Sequence, residues 1–361
     1  MTRSSVAATR TVADLGEFGL IDRIRAALLG NDVGLVLGIG DDTAAFKASP
    51  GMLLLATCDI QIEGRHFRRE HCTPYQLGRR AAAINLSDIG AMGGLPRYAL
   101  VSLALPPETE VAWVDELYRG LREELATYDA SVIGGNVSAS GHDMVIDVTL
   151  LGEVAEEQLL RRDGARPGDV VLTTGTLGES LLGRLALERG LEGRKPAVAR
   201  VTAAHLTPAP RVREGRAIAG AGGATAMIDV SDGLAVDLGH LCRASGVEAR
   251  LFADRVPLSP EAREVAALLG VDPLEAALHG GEDYELVFTC PRSEADRIAA
   301  VVRAETGAPV TEIGAITAGD GMTLVSSDGT ERRLDPRGWD HFVSVPGEGE
   351  HEGQSPSKSS L

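Results

Sequence analysis

The sequence predicts a two-domain protein of the mixed α/β (α+β) class. Apolar runs rich in leucine and β-branched residues alternate with stretches of helical periodicity along most of the 361 residues. That length is sufficient for two domains of ordinary size. A charged, turn-rich segment (RRDGARPGD, 161–169) interrupts the alternation and is typical of a linker. We therefore expect the boundary between the two domains to lie just before this segment.

Both ends of the chain differ in composition from the two predicted domains. The first fifteen residues are small and polar and are expected to be flexible. They lack the continuous apolar stretch of a secretory signal. Residues 347–361 are rich in Gly, Glu, Ser and Lys, and we expect a disordered tail there.

The N-terminal half is predicted to begin with a helix and to continue with strands and helices in alternation. The helix is expected from residue 17, since Phe18, Ile21, Ile24 and Leu28 are spaced to form one buried face. The elements expected after it are a strand at 53–59, a helix at 75–92, a strand at 98–105, a helix at 110–128 and strands at 131–134 and 144–154.

The C-terminal half repeats the alternation after the linker. Its predicted strands are 170–174, 226–229, 285–289 and 322–325. Its predicted helices are 178–189, 212–221, 234–244 and 293–306.

The overall charge and the cysteines exclude several classes of function. The net charge is −17, from 35 Lys and Arg against 52 Asp and Glu, so we expect no nucleic-acid partner. The four cysteines form no C-x-x-C pair, and their spacing fits neither a zinc site nor a disulfide framework. No apolar run reaches the length of a membrane span. The sequence therefore predicts a cytoplasmic protein with reduced thiols and no membrane partner.

The strongest functional signal is a set of aspartates that lie beside glycines or at the ends of predicted elements. Taken singly, each has an ordinary explanation as a turn residue or a helix cap. Two of them sit in strongly apolar surroundings, because Asp59 ends a predicted strand and Asp88 lies on an apolar helix face. The set comprises Asp41 and Asp42 in LGIGDDTAAF, Asp59 in LLLATCDIQIEGRHF, Asp88 in NLSDIGAMGG, and Asp229 and Asp232 in IDVSDGL.

Buried carboxylates that converge would need a cation. Two unit charges about 4 Å apart repel by roughly 4 kcal/mol at an effective dielectric of about 20. Few basic residues lie near these motifs in the sequence. Oxygen ligands favour a hard ion such as Mg²⁺, which in proteins usually also contacts substrate phosphates.

The common phosphate-binding signatures are absent from the sequence. No G-x-x-x-x-G-K-[ST] motif occurs, and Thr43 stands where the third glycine of a G-x-G-x-x-G motif would fall after Gly38 and Gly40. The protein-kinase motifs are absent as well. Other glycine-rich stretches at 134–136, 175–178 and 280–284 could offer backbone amides to phosphate, or could be plain turns.

Taken together, the motifs resemble those of the thiamine-monophosphate kinase family. GEFGLI, LGIGDD, EGRHF, NLSDIGAMGGLPR, IGGN, RPGD, TGTLGES, HLTPAPRV, IDVSDGLAVDLGHL, GGEDYEL and GWDHF occur in the family's order over about residues 17–342. The resemblance implies an aminoimidazole ribonucleotide synthetase-like fold, in which the N-terminal domain binds ATP and dimerises through its sheet, and a C-terminal α/β domain closes the site. It places the N-terminal domain at 1–153 and the C-terminal domain at 154–346. It also implies the family's reaction, the ATP-dependent phosphorylation of thiamine monophosphate to thiamine diphosphate with several Mg²⁺ ions.

The same resemblance implies roles for individual residues. Asp42, Asp88 and Asp232 would be central to catalysis. The metal ligands would be Asp42, Asp59, Asp88, Asn136, Asp229 and Asp232, with oxygen atoms from Thr57 and Cys58. ATP would contact Tyr118, Gly135, Asn136, Arg162 and Ser231. Thiamine monophosphate would contact His66, Glu282 and Trp339.

Three of these positions depart from the family's usual residues. Asn136 stands in place of a metal-binding Asp, which removes one negative charge but keeps a carbonyl oxygen. Cys58 stands where relatives often have Thr. Trp339 stands where they often have Tyr, so it can stack on a ring but loses a hydroxyl contact.

Two other interpretations stay open at this point. One is a sister ATP-dependent synthetase that acts on another small substrate. The other is a catalytically silent nucleotide-binding protein, for which Asn136 would be an early sign of lost activity.

Overall fold

The structure is a computed structural model, and it describes residues 10–28, 34–39 and 43–336. In these ranges the helices are α1 (Val12–Leu28), α2 (Pro74–Ala91), α3 (Val111–Ala126), α4 (Glu179–Glu188), α5 (Pro196–Leu206), α6 (Val212–Ala221), α7 (Leu234–Ser245), α8 (Pro260–Leu269), α9 (Pro273–His279) and α10 (Ala295–Thr306). The strands are β1 (Leu35–Leu37), β2 (Ala45–Phe46), β3 (Met52–Ile62), β4 (Leu95–Leu105), β5 (Ser131–Ala139), β6 (Val145–Ala155), β7 (Asp169–Thr174), β8 (Ala226–Asp229), β9 (Glu248–Phe252), β10 (Leu286–Pro291), β11 (Val310–Thr317), β12 (Gly321–Val325) and β13 (Glu331–Arg333).

The first half of the chain forms a four-stranded sheet with one face covered by helices. Its order is β3-β6-β4-β5, with β4 and β5 parallel and the other pairs antiparallel. Side chains alternate between the two faces of a strand. On β6, Ile146, Val148 and Leu150 point into a core that α2 and α3 complete. On the other face of β3, Leu54 is 60% exposed and Ile60 is 45% exposed, so apolar side chains remain uncovered there.

The second half of the chain forms a larger, seven-stranded sheet between two layers of helices. Its order is β13-β12-β9-β11-β7-β10-β8, and all pairs are antiparallel except β12 with β9. One core cluster packs α7 and α9 on the sheet. A second cluster packs α6 and α10 on it. A third joins α4, α5 and α8.

Helix α2 lies in contact with both halves of the molecule. Its start is fixed by a capping box in which Thr73 and Gln76 satisfy each other's backbone N–H groups, with Pro74 in the first turn. Gly78 allows close approach to α3, since an added Cβ would lie 2.0 Å from the Leu117 carbonyl oxygen. Near its other end Gly90 faces Val212 of α6. A buried helix with two such close contacts holds the two sheets in one arrangement.

The predicted fold class is confirmed, and most predicted elements are present with bounds that differ by a few residues. The sequence prediction missed α5, α8, α9 and the strands β1, β2, β9, β11 and β13. Strand β5 continues to Ala139, five residues beyond its predicted end. The domain boundary at 153/154 stays a prediction, as does the disorder of 347–361, which lies outside the described residues.

The N-terminal helix corrects two expectations. Residues 12–15, expected to be flexible, are helical, and the Asp14 carboxylate accepts the Thr11 N–H at 2.8 Å. The helix is interrupted at Gly16, which has φ 68°. Phe18 is exposed, and Leu20 and Ile24 form the buried face instead. No helix in the described ranges is both long enough and apolar enough to cross a membrane.

Candidate functional site

The end of β3 and the last turns of α2 bring two of the predicted carboxylates together. The carboxyl groups of Asp59 and Asp88 lie in direct contact. The Thr57 hydroxyl donates to Asp88 Oδ2. Thr57 and Asp59 are two residues apart on one strand, so they point to the same face, toward α2.

The end of β8 adds a third carboxylate from the second sheet. Asp229 is the last residue of that strand and is almost fully buried. Its Oδ2 accepts the Ser87 hydroxyl of α2 at 2.6 Å. Ser87 and Asp88 are neighbours on α2. Ser87 binds Asp229 of the second sheet, and Asp88 binds Thr57 of the first sheet, so this turn of α2 joins both halves of the chain.

The pKa values of the three aspartates are all raised, because too little positive charge surrounds them to stabilise their ionised forms. Burial, followed by the charges of Asp88 and Asp229, raises the pKa of Asp59. Burial and then the Asp88 charge raise the pKa of Asp229. Burial also raises the pKa of Asp88, although the Thr57 hydroxyl and the positive charge of Arg162 act in the opposite direction. The three acidic groups therefore repel one another in the folded chain.

The turn after β8 carries Asp232, and its backbone is fixed by a residue of α7. The Asp237 carboxylate accepts the N–H groups of Asp232 at 3.0 Å and of Gly233 at 3.1 Å. Burial, then the charges of Asp229 and Asp232, raise the pKa of Asp237 to about 8. Asp237 therefore lies within the electrostatic reach of both predicted ligands in this turn.

The donor set fits a hard divalent cation. Carboxylates and one hydroxyl supply only oxygen atoms, and the mutual repulsion would become attraction around a cation. In the described ranges no three His, Cys, Asp or Glu side chains are already grouped closely enough to form a complete metal site. Asp41 and Asp42 lie outside those ranges, so the structure does not test their contribution.

The glycine-rich segment 280–284 lies against the same turn. The Glu282 N–H donates to the Ser231 carbonyl at 2.7 Å, and the Tyr284 N–H donates to the Val230 carbonyl at 2.8 Å. The carboxylate of Glu282 forms an ion pair with Arg80 of α2. Of the predicted nucleotide and substrate residues, Ser231 and Glu282 are thus adjacent to the acidic turn.

Arg162 also lies within the reach of this cluster. Its positive charge lowers the pKa values of Asp88 and Asp229, although burial dominates both shifts and raises them. Its carbonyl oxygen accepts the Ser245 hydroxyl at 2.9 Å, which fixes the backbone of the linker segment. Arg162 is the cation that sequence analysis assigned to ATP, and its charge reaches Asp88 and Asp229 of the acidic cluster.

Two other predicted ligands lie on the opposite face of the first sheet. The Cys58 thiol contacts Asp147 Oδ1 at 3.1 Å and the Thr149 hydroxyl at 3.4 Å, and it points away from Asp88. Asn136 is exposed, and its neighbour Val137 packs into the core, so Asn136 also points to the uncovered face. Within one chain the sheet separates these two side chains from the acidic cluster.

The remaining predicted residues occupy different surroundings. Gly135 has φ 155°, and an added Cβ would lie 1.9 Å from the Val101 carbonyl oxygen, so only glycine fits. Tyr118 lies on α3 and is buried in the core under the first sheet. The His66 Nδ1 accepts the Ile62 N–H at 3.0 Å in the turn after β3. Trp339 lies outside the described residues.

Sequence reasoning missed four polar residues around the cluster. Ser87 and Asp237 stand inside the quoted motifs. Ser87 directly precedes Asp88, and Asp237 follows Asp232 by five residues, so the sequence could have indicated both. His205 opens the quoted motif HLTPAPRV, so that motif was the available signal for it. Arg80 is buried, yet nothing in the local sequence separates it from a surface residue. The pairing of Arg80 with His205 joins positions 125 residues apart, which only the fold reveals.

Comparisons with known proteins identify the family of the chain. The family model for AIR synthase related protein, N-terminal domain, matches residues 40–154, and the model for the C-terminal domain of the same family matches 166–327. The thiamine-monophosphate kinase of Aquifex aeolicus (strain VF5) is 39% identical over 329 residues, covering 91% of this chain and 99% of that protein.

Solved structures give the same result. The thiamine-monophosphate kinase of Stenotrophomonas maltophilia K279a superposes with a TM-score of 0.77 at 35% identity, covering 87% of this chain and 97% of that one. The structure of AaThiL complexed with AMPPCP and TMP superposes with a TM-score of 0.73 at 38% identity, covering 93% and 100%. The sequence, the fold and the aligned halves all lead to one assignment: this chain belongs to the thiamine-monophosphate kinase family, within the AIR synthase related proteins.

Proposed function

We propose that this chain transfers the γ-phosphoryl group of ATP to the phosphate of thiamine monophosphate and so forms thiamine diphosphate. The observation that carries the proposal is the convergence of Asp59, Asp88 and Asp229 from a strand, a helix and a strand of the two sheets. A homologue that aligns over its whole length with 93% of this chain is described as complexed with AMPPCP, an ATP analogue, and TMP. A site of this kind would lie where the two halves of the chain meet, between β3 and α2 on one side and the end of β8 on the other.

The chemistry of the acceptor explains why carboxylates dominate the site. The second pKa of a phosphate monoester is about 6, so the acceptor is mostly dianionic near neutral pH and needs no general base. The difficulty is to bring it against the γ-phosphate of ATP, which is also negative. Catalysis then consists of positioning and charge neutralisation, as in phosphoryl transfer generally. We propose direct in-line transfer without a phosphorylated protein intermediate.

Magnesium is the cation that this donor set suits, and we propose that several ions act with ATP. Asp59, Asp88, Asp229 and the Thr57 hydroxyl would hold it, and the motifs add Asp42 and Asp232. When bound, the metal supplies charge neutralisation between the two phosphates. Thr57 orients Asp88, and Ser87 orients Asp229 by the 2.6 Å hydrogen bond.

Binding of the metal–nucleotide complex can be measured without turnover. Mg²⁺ together with AMPPCP should raise the melting temperature, because a ligand that binds only the native state stabilises it. AMPPCP with EDTA should give a much smaller shift. Equal shifts with and without Mg²⁺ would argue that nucleotide binding does not use the carboxylates.

The individual ligand contacts remain predictions of the resemblance. Arg162 and Ser231 lie near the acidic cluster and are well placed for ATP, and Gly135 requires glycine for steric reasons. Asn136 would reach a nucleotide only from the uncovered face of the sheet, where a second chain could complete a site.

We also propose that two copies of the chain associate through that uncovered face. An exposed apolar sheet face usually marks a protein contact, and Leu54 and Ile60 lie on it. The four cysteines are free thiols, two of them buried, which supports a reducing compartment such as the cytoplasm.

The decisive experiment is a coupled assay of ADP release. ADP should form in proportion to thiamine diphosphate when ATP, Mg²⁺ and thiamine monophosphate are all present, and not with thiamine in place of its phosphate. Turnover with aminoimidazole or selenium substrates alone would identify a sister synthetase instead. Nucleotide binding without turnover on any of these would indicate a silent protein. Covalent labelling of the protein by γ-phosphate during turnover would contradict direct transfer.

A further inference from the structure

A buried group of polar residues joins α2 to the C-terminal half next to the proposed site. It consists of Arg80, Ser180, His205 and Glu282, and we refer to it as the Arg80 cluster. Arg80 is only 3% exposed and forms an ion pair with Glu282, which lies 202 residues further along the chain. The cluster thus draws on α2, α4, α5 and the 280–284 loop.

The chemistry of the contacts fixes the protonation of His205. Arg80 Nη1 lies 3.2 Å from His205 Nε2, and a guanidinium only donates hydrogen bonds, so Nε2 must be the acceptor. The ring proton is then on Nδ1, which lies 3.1 Å from Ser180 Oγ and 3.3 Å from Glu282 Oε2. His205 is therefore neutral, and it links Arg80 to Glu282 as acceptor at one nitrogen and donor at the other.

Both carboxylate oxygens of Glu282 are engaged in this arrangement. Oε1 pairs with Arg80, and Oε2 faces His205. Burial opposes ionisation, but the Arg80 charge and the His205 hydrogen bond prevail and lower the pKa of Glu282 to about 2. An ionised carboxylate would repel a substrate phosphate rather than bind it, so its partners here are protein groups.

The backbone around Glu282 is also held in an uncommon conformation. Glu282 has φ 67° and Tyr284 has φ 52°, which is the left-handed region that residues other than glycine seldom adopt. Such conformations persist only where the surroundings impose them. Here the hydrogen bonds to Ser231 and Val230 hold the loop on the turn that contains Asp229 and Asp232.

Helix α2 connects this loop to Asp88. Arg80 and Ser87 are seven residues apart, which is about two helical turns, so both face the C-terminal half. Ser87 binds Asp229, and Arg80 binds Glu282 on the loop that supports the Asp229–Asp232 turn. The ion pair therefore sets the position of that turn relative to Asp88.

We infer that Arg80 and His205 are positioning residues of the phosphotransfer site, which hold Glu282 and its loop so that Asp229 and Asp232 meet Asp88. This rests on the proposed function. It assigns Glu282 to the support of the acidic turn instead of to a direct contact with thiamine monophosphate.

Neighbouring arginines of α2 allow a matched test. Arg79 pairs with Glu124 at 2.6 Å, and Glu124 is 4% exposed, so Arg79→Met also breaks an ion pair with a buried glutamate, but inside the N-terminal half. We would measure kcat, both KM values and the half-saturating Mg²⁺ concentration for Arg80→Met and Arg79→Met, well below their melting temperatures. Arg80→Met should lower kcat about 10- to 100-fold, as the loss of a residue that orients metal ligands does. It should also raise the half-saturating Mg²⁺ concentration. Arg79→Met should leave both within about twofold of wild type.

A conservative substitution and a double mutant complete the test. Arg80→Lys keeps the charge and should recover part of kcat. Arg80→Met combined with Glu282→Gln should be no slower than the slower single variant, because the two residues act as a unit. If Arg80→Met does not fold, Arg80→Lys and Glu282→Gln supply the same comparison.

Two outcomes would overturn the inference, and they differ from failure of the proposed function. Wild-type kcat and Mg²⁺ dependence in Arg80→Met, with only a lower melting temperature, would show a purely structural role. Equal losses in Arg80→Met and Arg79→Met would show a general effect of destabilising α2. By contrast, wild-type protein that fails to phosphorylate thiamine monophosphate would refute the proposed function itself, and binding of Mg²⁺–AMPPCP by calorimetry would then replace kcat as the readout.

Discussion

Single residues of the acidic cluster serve the proposed activity at a cost in stability. Asp88 accepts the Thr57 hydroxyl, contacts the Asp59 carboxyl group and lies within the electrostatic reach of Asp229. Packed charges of one sign destabilise a fold unless a cation separates them. Such strain is common at functional sites, where activity and stability oppose each other.

Asp88→Asn should separate these two effects. The amide oxygen can still accept the Thr57 hydroxyl, while the charge is removed, so the variant should melt higher than wild type in EDTA. It should lose about 10²–10³-fold in kcat, because a group that neutralises or positions charge in the transition state is gone. Asp232→Asn should show a similar loss.

Thermal unfolding in EDTA and steady-state kinetics would be measured side by side. Asp143→Asn is a suitable control, since Asp143 lies in an exposed turn. Near-normal turnover in Asp88→Asn would remove that residue from the site. A lower melting temperature in EDTA would show that its charge is already balanced without metal.

His205 provides a test of pH dependence at the same scale. Burial, then the Arg80 charge, lowers the pKa of His205 below its usual 6.5, although Glu282 acts in the opposite direction. The unfolded chain therefore binds a proton at His205 more readily than the folded chain, and the stability that the neutral ring confers is lost as the pH falls below about 6.5. His205→Gln, which can still accept from Arg80 and donate to Glu282, should lose less stability between pH 7.5 and 5.5 than wild type.

Urea unfolding at several pH values would measure this difference. His142→Gln is the matched control, because His142 is exposed in the turn before β6. The prediction fails if wild type and His205→Gln have parallel pH profiles.

At the level of elements, the contact between α2 and α6 decides how the two halves meet. Gly90 and Gly215 face each other so closely that an added Cβ on Gly215 would lie 2.0 Å from the Gly90 carbonyl oxygen. Two glycines at one crossing let the helix backbones touch. Since α2 carries Asp88 and the crossing at Gly90 lies about half a turn beyond it, the distance between the helices also sets the geometry of the site.

Gly215→Ala should therefore affect both stability and activity. The methyl group has no space, and overpacking of this kind costs about 1–3 kcal/mol. Gly220→Ala in the same helix is the control, because an added Cβ there meets no heavy atom within 4 Å. Alanine is also the better helix former by about 1 kcal/mol, so that variant should be neutral or more stable. Denaturant unfolding and kcat would be compared, and equal stability of the two variants would contradict the close crossing.

The sequence predicted those elements whose pattern is local. Helix α6 and strand β8 have the predicted bounds, since helical periodicity and a short apolar run between turn residues are sufficient to define them. Helix α9 was missed because its 7 residues span less than two helical turns, so its apolar face is hard to recognise.

The same limit applies to the site. The aspartates were found because each sits in a recognisable turn motif. The four residues of the Arg80 cluster come together only when α2, α4, α5 and the 280–284 loop pack against one another. No spacing in the sequence indicates that contact. Alternation along a strand would have shown that Cys58 and Asp59 point to opposite faces, and the resemblance alone did not.

At the scale of the whole molecule, the uncovered face of the first sheet is the feature that the proposed association of two copies would explain. Antiparallel sheets with one solvated face normally place polar side chains on it. Here Leu54 and Ile60 alternate with the core-facing residues of β3 and remain exposed to solvent. Asn136 lies on the same face, so an associated chain would also cover a residue that the resemblance assigns to metal and nucleotide.

The combined substitution Leu54→Lys and Ile60→Lys should convert a dimer into a monomer, because two buried charges would face each other across the interface. Each folded monomer should persist, since both side chains point away from the core. Leu268→Lys is the control, as Leu268 is an apolar residue of α8 that is 48% exposed in the C-terminal half.

Light scattering during size-exclusion chromatography would give the mass of each variant at micromolar concentration. A monomeric wild type, or a double variant that remains dimeric, would show that copies of the chain do not meet on this face. If the monomer also loses ADP release, a second copy is needed to complete the active site, and Asn136 is the residue through which we expect it to act.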